Sequence, residues 1–256
     1  SSCVCFGSNA GSNGAFAFTF LNCLFEDNRT TNDVGGAIAL SRAGMATFSR
    51  CRFYRNKSKG RGSAIWASSA NAEQCKLIDC DFTGNANDDE HTAFPQPVVA
   101  GQPQLVSGCF FTNNLGIVLS SSSDAIDWIA NGYPRPVVTN CVFAGNENSC
   151  GWNFNYNPGD SNSRASTVVL ELSQASTTVD FVNCSFVRNL TGGVKAVGGI
   201  ACVKGRAFVR NCLFWDNLVN KSSTTAKDIY LTAEGQADVD WCVFERADGS
   251  CVYAEN

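Results

Sequence analysis

The chain has 256 residues, 19 basic and 23 acidic side chains, and a formal charge of −4. That length fits one domain or two, and the interspersed charge argues against a nucleic-acid partner. No apolar run approaches the ~20 residues needed to span a bilayer, so no membrane span is expected. Ser1-Ser2-Cys3-Val4-Cys5 has neither the basic start nor the apolar stretch of a signal peptide, which suggests a mature form or an excised segment. Fourteen cysteines stand against one methionine and one histidine, a balance more extracellular than cytosolic. Their long spacing, with His91 the sole histidine, argues against a zinc cluster. Neither a metal nor a cofactor is expected.

From the N-terminus onward, one unit recurs. Cys-x-Phe appears at Cys23, Cys51, Cys80, Cys109, Cys141, Cys184, Cys212 and Cys242, at spacings of 28, 29, 29, 32, 43, 28 and 30 residues. Three residues after the Phe stands an asparagine in seven copies: Asn28, Asn56, Asn85, Asn114, Asn146, Asn189 and Asn217. The eighth copy has Ala247, and a degenerate ninth opens the chain at Phe6-Gly7-Ser8-Asn9. Cys and Phe, two apart on a strand, share one face, and eight phenylalanines make that face the inside.

Another apolar residue (Phe20, Phe48, Leu77, Val106, Val138, Phe181, Val209 or Val239) lies three residues before each Cys. An odd spacing cannot keep one face of a flat strand, so the chain bends between them. Asn22, Asp79, Asn140, Asn183 and Asn211 precede the Cys and suit a left-handed corner. A second corner is expected at the ladder asparagine. A third strand then follows, as in Gly35-Gly36-Ala37-Ile38, Gly62-Ser63-Ala64-Ile65, Gly198-Gly199-Ile200 and Asp228-Ile229-Tyr230-Leu231. No segment carries the i, i+3, i+4, i+7 pattern of a helix.

The expected fold is therefore all-β: a single-domain right-handed parallel β-helix over residues 1–256, with eight to nine coils of about 28–30 residues. Stacking at ~4.8 Å turns each repeated residue into a column: Phe on Phe, Cys on Cys, Asn on Asn. Insertions are expected near 120–135 and 147–166.

The Phe25-Glu26-Asp27-Asn28 and Gly35-Gly36-Ala37-Ile38 pair resembles the repeats of chlamydial-type polymorphic outer membrane proteins. It is also similar to the wider group of secreted β-helix proteins with pectin-lyase-like topology. The resemblance covers nearly the whole chain and implies a secreted or surface-exposed solenoid, with adhesion as the function.

Within that frame, neighbouring ladder cysteines lie inside the Cα range for a disulfide, although parallel Cβ vectors oppose pairing. Oxidising conditions tip the expectation toward pairing of some neighbours. Cys3, Cys5, Cys75, Cys150, Cys202 and Cys251 lie off the ladder. Asp88-Asp89-Glu90-His91 reads as a solvated acidic loop, against the alternative of a polysaccharide-cleaving carboxylate pair.

The insertions carry Asp124, Asp127, Trp128 and Tyr133 in one coil, and Trp152, Phe154 and Tyr156 in the next. Insertions into adjacent coils are expected to emerge side by side. Trp128, Tyr133, Trp152 and Tyr156 are then candidates to bind a cell-surface glycan or protein, or else to cover the solenoid wall. Of five N-x-S/T sequons, only Asn220 is placed to accept a glycan, because Asn28, Asn56 and Asn189 belong to the ladder and Asn183 to a corner. The expected partner is the protein itself, end to end, or further coils of a longer chain. The function expected is a non-enzymatic extracellular structural or adhesive scaffold; the alternative is a carbohydrate-active β-helix enzyme.

Overall fold

In a computed structural model of the chain, the described residues are 4–7, 17–31, 34–41, 45–67, 75–87, 97–101, 103–121, 135–148, 166–172, 177–192, 197–219, 228–245 and 251–254. They form a parallel β-solenoid. One coil shows its logic. Ala46–Ser49 runs to a corner, Arg52–Tyr54 carries the ladder Phe, Lys57–Ser58 follows the ladder Asn, and Ile65–Ala67 closes the coil. The Phe strands, Leu24–Glu26 through Val243–Phe244, build an eight-stranded sheet with one strand per coil. Its register is unbroken, with Phe25, Phe53, Phe82, Phe111, Phe143, Phe186, Phe214 and Phe244 successively opposite one another.

The sequence suggests three strands per coil, and the structure has four. Two-residue strands follow the ladder asparagine at Arg29–Thr30, Lys57–Ser58, Ala86–Asn87, Glu147–Asn148, Leu190–Thr191 and Leu218–Val219. Two residues are too few to show a period, which is why the pattern hides them. They make two three-stranded sheets, joined by single bridges through Leu115. The first and closing strands of the coils belong to one 15-stranded sheet, because Ile200–Arg210 and Ile229–Asp240 run without a break from one coil into the next.

The corner before each Cys is left-handed in all eight coils, and asparagine is not required for it. Asn22, Arg50, Asp79, Asn140, Asn183, Asn211 and Trp241 have φ between 50° and 55°, and Gly108 has 64°. A side chain such as Arg or Trp in this conformation costs ~1–2 kcal/mol. At Arg50 the neighbouring rung holds the backbone there, the N–H donating to Ile78 O at 2.9 Å. The second corner falls one residue earlier than expected. Asp27, Arg55, Asn113, Arg188 and Asp216, with Gly84 and Gly145, take the left-handed turn, and the ladder asparagine follows it. That offset turns the asparagine side chain inward. Gly36 meets a tighter constraint, since a Cβ there would lie 2.0 Å from Ser63 O of the next coil.

The core is the inside of the coil. Phe53, Phe82, Phe111, Phe143, Phe186 and Phe214 are fully buried. Their rings stack with centroids 4.6 to 4.9 Å apart and planes within 12°. One rung cannot bury such a ring alone, so each coil depends on its neighbours.

Candidate functional site

Three features gather the residues that carry chemistry. The first is the asparagine column. Each Nδ2 from Asn28 to Asn189 donates to Oδ1 of the next asparagine at 2.8 to 3.1 Å. The same Oδ1 also accepts the backbone N–H of the preceding asparagine. From Asn56 on, Nδ2 further donates to the carbonyl of the ladder Phe one coil back, at 2.8 or 2.9 Å. The buried amides are thus consumed by packing, as burial of polar groups demands. Asn56 and Asn189 are closed to modification and Asn28 is half-buried. Asn183 is exposed at its corner, where its amide is held between Asn140 and Asn211 at 3.1 and 2.7 Å.

The column ends on a residue the repeat pattern does not single out. Where the eighth coil has Ala247, Asn217 donates instead to Oδ1 of Asp228 at 3.0 Å. Asp228 is 4% exposed, and burial raises its pKa to about 6, against the hydrogen bond from Asn217 and helped by the Glu245 charge. The break at Ala247 is the signal that an acceptor has to come from elsewhere.

The second feature is the cysteine column. The structure corrects the expectation of pairing, since all eight ladder cysteines are free thiols. Each Sγ turns toward the carbonyl two residues back, at 3.1 to 3.4 Å. A shared rotamer with parallel Cβ vectors keeps successive sulfurs a full rung apart, too far for a disulfide. Cys75 and Cys202, off the ladder, are free and buried as well, and Cys251 is buried. Burial pushes the Cys51 and Cys202 thiols up to about 11 and Cys75 to about 12. These three are packing groups, whereas hydrogen bonding with the neighbouring column thiols shifts Cys80 and Cys141 downward.

The third feature is the pair of insertions. Trp128, Tyr133, Trp152 and Tyr156, with Asn220 and Asp88 to His91, lie outside the described residues. The roots of the insertions do not emerge side by side. Residues 122–134 follow the strand Leu119–Ser121, whereas 149–165 precede Val168–Glu171, its parallel neighbour. Parallel pairing sets these roots at opposite ends of one strand pair, Ser121 lying opposite Leu170, four residues beyond Ser166. The outer wall between them is closed to solvent. Ile117, Val169, Val197, Ala201 and Tyr230 form a buried cluster separate from the main core.

Among the described residues no three His, Cys, Asp or Glu side chains converge as metal ligands, and no helix is long and apolar enough to cross a membrane. The continuous ladders, the parallel register and the left-handed corners define a right-handed parallel β-helix. Residues 5–217 match the family described as right handed beta helix region, and the chain belongs to that family. No curated protein and no solved structure matches it significantly.

Proposed function

We propose that the protein is a non-enzymatic structural or adhesive scaffold working outside the cytoplasm, as a stalk of stacked coils. The observation that carries this reading is the use of the buried polar side chains. The ladder asparagines hydrogen-bond from coil to coil, the ladder thiols face backbone carbonyls, and the exposed Arg55, Arg135 and Arg188 pair with neighbouring carboxylates. The extracellular setting rests on the resemblance to secreted β-helix repeats and not on the cysteines, whose ladder members are free thiols.

Both ends of the described solenoid bear on the partner. Phe20 and Cys23 at one end, and Cys242 and Phe244 at the other, are only partly buried, and the strands Leu24–Glu26 and Val243–Phe244 each have one neighbour in their sheet. Such edges suit a further coil or a second copy stacked end to end. The inserted aromatics Trp128, Tyr133, Trp152 and Tyr156 are our candidates for a cell-surface glycan or protein partner.

Incubation with acidic and neutral polysaccharides, assayed for new reducing ends or unsaturated products, tests the reading. No turnover is expected. Turnover abolished by Asp88→Asn with Asp89→Asn would establish the carbohydrate-active enzyme instead.

A further inference from the structure

The outer wall of the phenylalanine sheet changes character along the axis. Outward positions flank each ladder Phe, and in the later rungs they include the exposed apolar Phe110, Trp215 and Val243. In the first three rungs they are Leu24 and Glu26, Arg52 and Tyr54, Asp81 and Thr83. The registers Leu24↔Arg52↔Asp81 and Glu26↔Tyr54↔Thr83 stack these six side chains into one patch. The patch lines a shallow groove of about 300 Å³.

Two observations make this a prepared surface. Tyr54 is packed on one face by the Arg55 guanidinium, 4.3 Å from its ring centroid, which in turn pairs with Glu26 at 2.9 Å and Asp27 at 2.6 Å. The hydrogen bond from Arg55 holds the Asp27 carboxyl below the usual carboxylate range, so the clamp stays charged in mild acid. A ring supported on one face gives up less freedom when a ligand stacks on the other. Arg52, by contrast, makes no ion pair or side-chain hydrogen bond among the described residues, and its five N–H donors border the groove. Beside it, Asp81 takes the Thr83 hydroxyl at 2.6 Å on one oxygen, leaving the other as an acceptor.

We propose that this groove binds one or two rings of a neutral saccharide. Tyr54 supplies the platform for the apolar face of a ring, Arg52 donates to hydroxyl oxygens, and Asp81 and Glu26 accept from hydroxyl hydrogens. The charges decide the class of sugar. A hydroxyl both donates and accepts and so uses cation and carboxylates together. A uronate would gain Arg52 but meet the Asp81 carboxylate, which has no cation paired to it among the described residues, while Glu26 is already paired with Arg55. The volume sits at the low end of the ~300–1,000 Å³ typical of small-ligand sites, which suits a monosaccharide or disaccharide. This deepens the adhesive reading by naming a ligand class, and it uses a surface made by the coils themselves.

Titration calorimetry of the whole chain with cellobiose, chitobiose and lactose, and with digalacturonic acid as the acidic comparison, tests it at millimolar sugar. At least one neutral disaccharide should bind. Tyr54→Ala and Arg52→Ala should each weaken that binding about tenfold or more, while Trp215→Ala, on the same sheet outside the groove, leaves it unchanged. All three positions are at the surface, and unchanged circular dichroism establishes that the variants fold. Preference for digalacturonic acid, binding indifferent to both groove variants, or no binding by any of the four sugars overturns the proposal. Cleavage of a sugar whose binding depends on Arg52 and Tyr54 supports the groove and defeats only the non-enzymatic reading.

Discussion

The side-chain amide of Asn217 donates to the carboxylate of Asp228 at 3.0 Å, and this contact ends the asparagine column. An amide acceptor in that position would be neutral, whereas Asp228 brings a charge into a buried site and has its pKa raised to about 6, mainly by burial. A carboxyl whose folded pKa lies above its unfolded value stabilises the fold at low pH. That contribution is lost as pH rises through about 6. Asp228→Asn should therefore stabilise the protein at pH 7.5, by an amount on the order of 2 kcal/mol, and have little effect near pH 4. Urea unfolding of both proteins at the two pH values measures this. An equal difference at both would show that the charge is not the cause.

Inside the column, Asn114 meets four demands at once. Its Oδ1 accepts from the Asn85 backbone N–H and side-chain amide at 2.9 and 3.1 Å, and its Nδ2 donates to Phe82 O and Asn146 Oδ1 at 2.9 and 3.0 Å. Asn114→Ala strands these groups in the core at about 1–3 kcal/mol for each one left unsatisfied. Asn114→Asp should do no better, since a carboxylate cannot donate to either acceptor. Thermal unfolding will show whether both variants lose several kcal/mol; a loss no larger than that of a surface substitution would refute the shared network.

Phe82 and Phe111 are fully buried, with ring centroids 4.7 Å apart. Replacing either by alanine should cost about 3–5 kcal/mol. Because the rings are stacked neighbours, the double variant should depart from the sum of the two singles. Denaturant midpoints of the four proteins settle both points.

The buried thiols predict a labelling order. Cys23 and Cys242, at the two ends of the column, are partly exposed, whereas Cys75, Cys80 and Cys109 are sealed. A brief treatment of the native, unreduced protein with iodoacetamide should modify the end residues first and the interior ones only after unfolding. Disulfide-linked peptides joining adjacent rungs would contradict the free-thiol column.

The insertions carry a separate expectation. Trp128→Ala and Trp152→Ala should leave the unfolding midpoint unchanged while weakening retention on a glycan or protein ligand. A fall in stability with retention unaltered would assign these residues to covering the wall instead.

The repeat itself determined the fold class, the inward column of Phe and Cys, and the buried asparagine ladder. An eightfold pattern admits one arrangement that stacks like on like, so no long-range information was needed. Where the pattern was silent, three-dimensional pairing decided. The two-residue strands after six of the seven asparagines are too short to carry a period and arise only because the coil beneath them is already in register. The left-handed residue sits one place before the asparagine because the amide has to point inward. Arg50 accepts that conformation because the adjacent rung fixes its backbone, its N–H donating to Ile78 O. The thiols stayed unpaired because side chains on parallel rungs are translated and do not converge. Asp228, lying 11 residues beyond Asn217, became the end of the ladder only because the coil folds back to place it there. Sequence periodicity sets what each rung contributes; the register between rungs sets which of those groups meet.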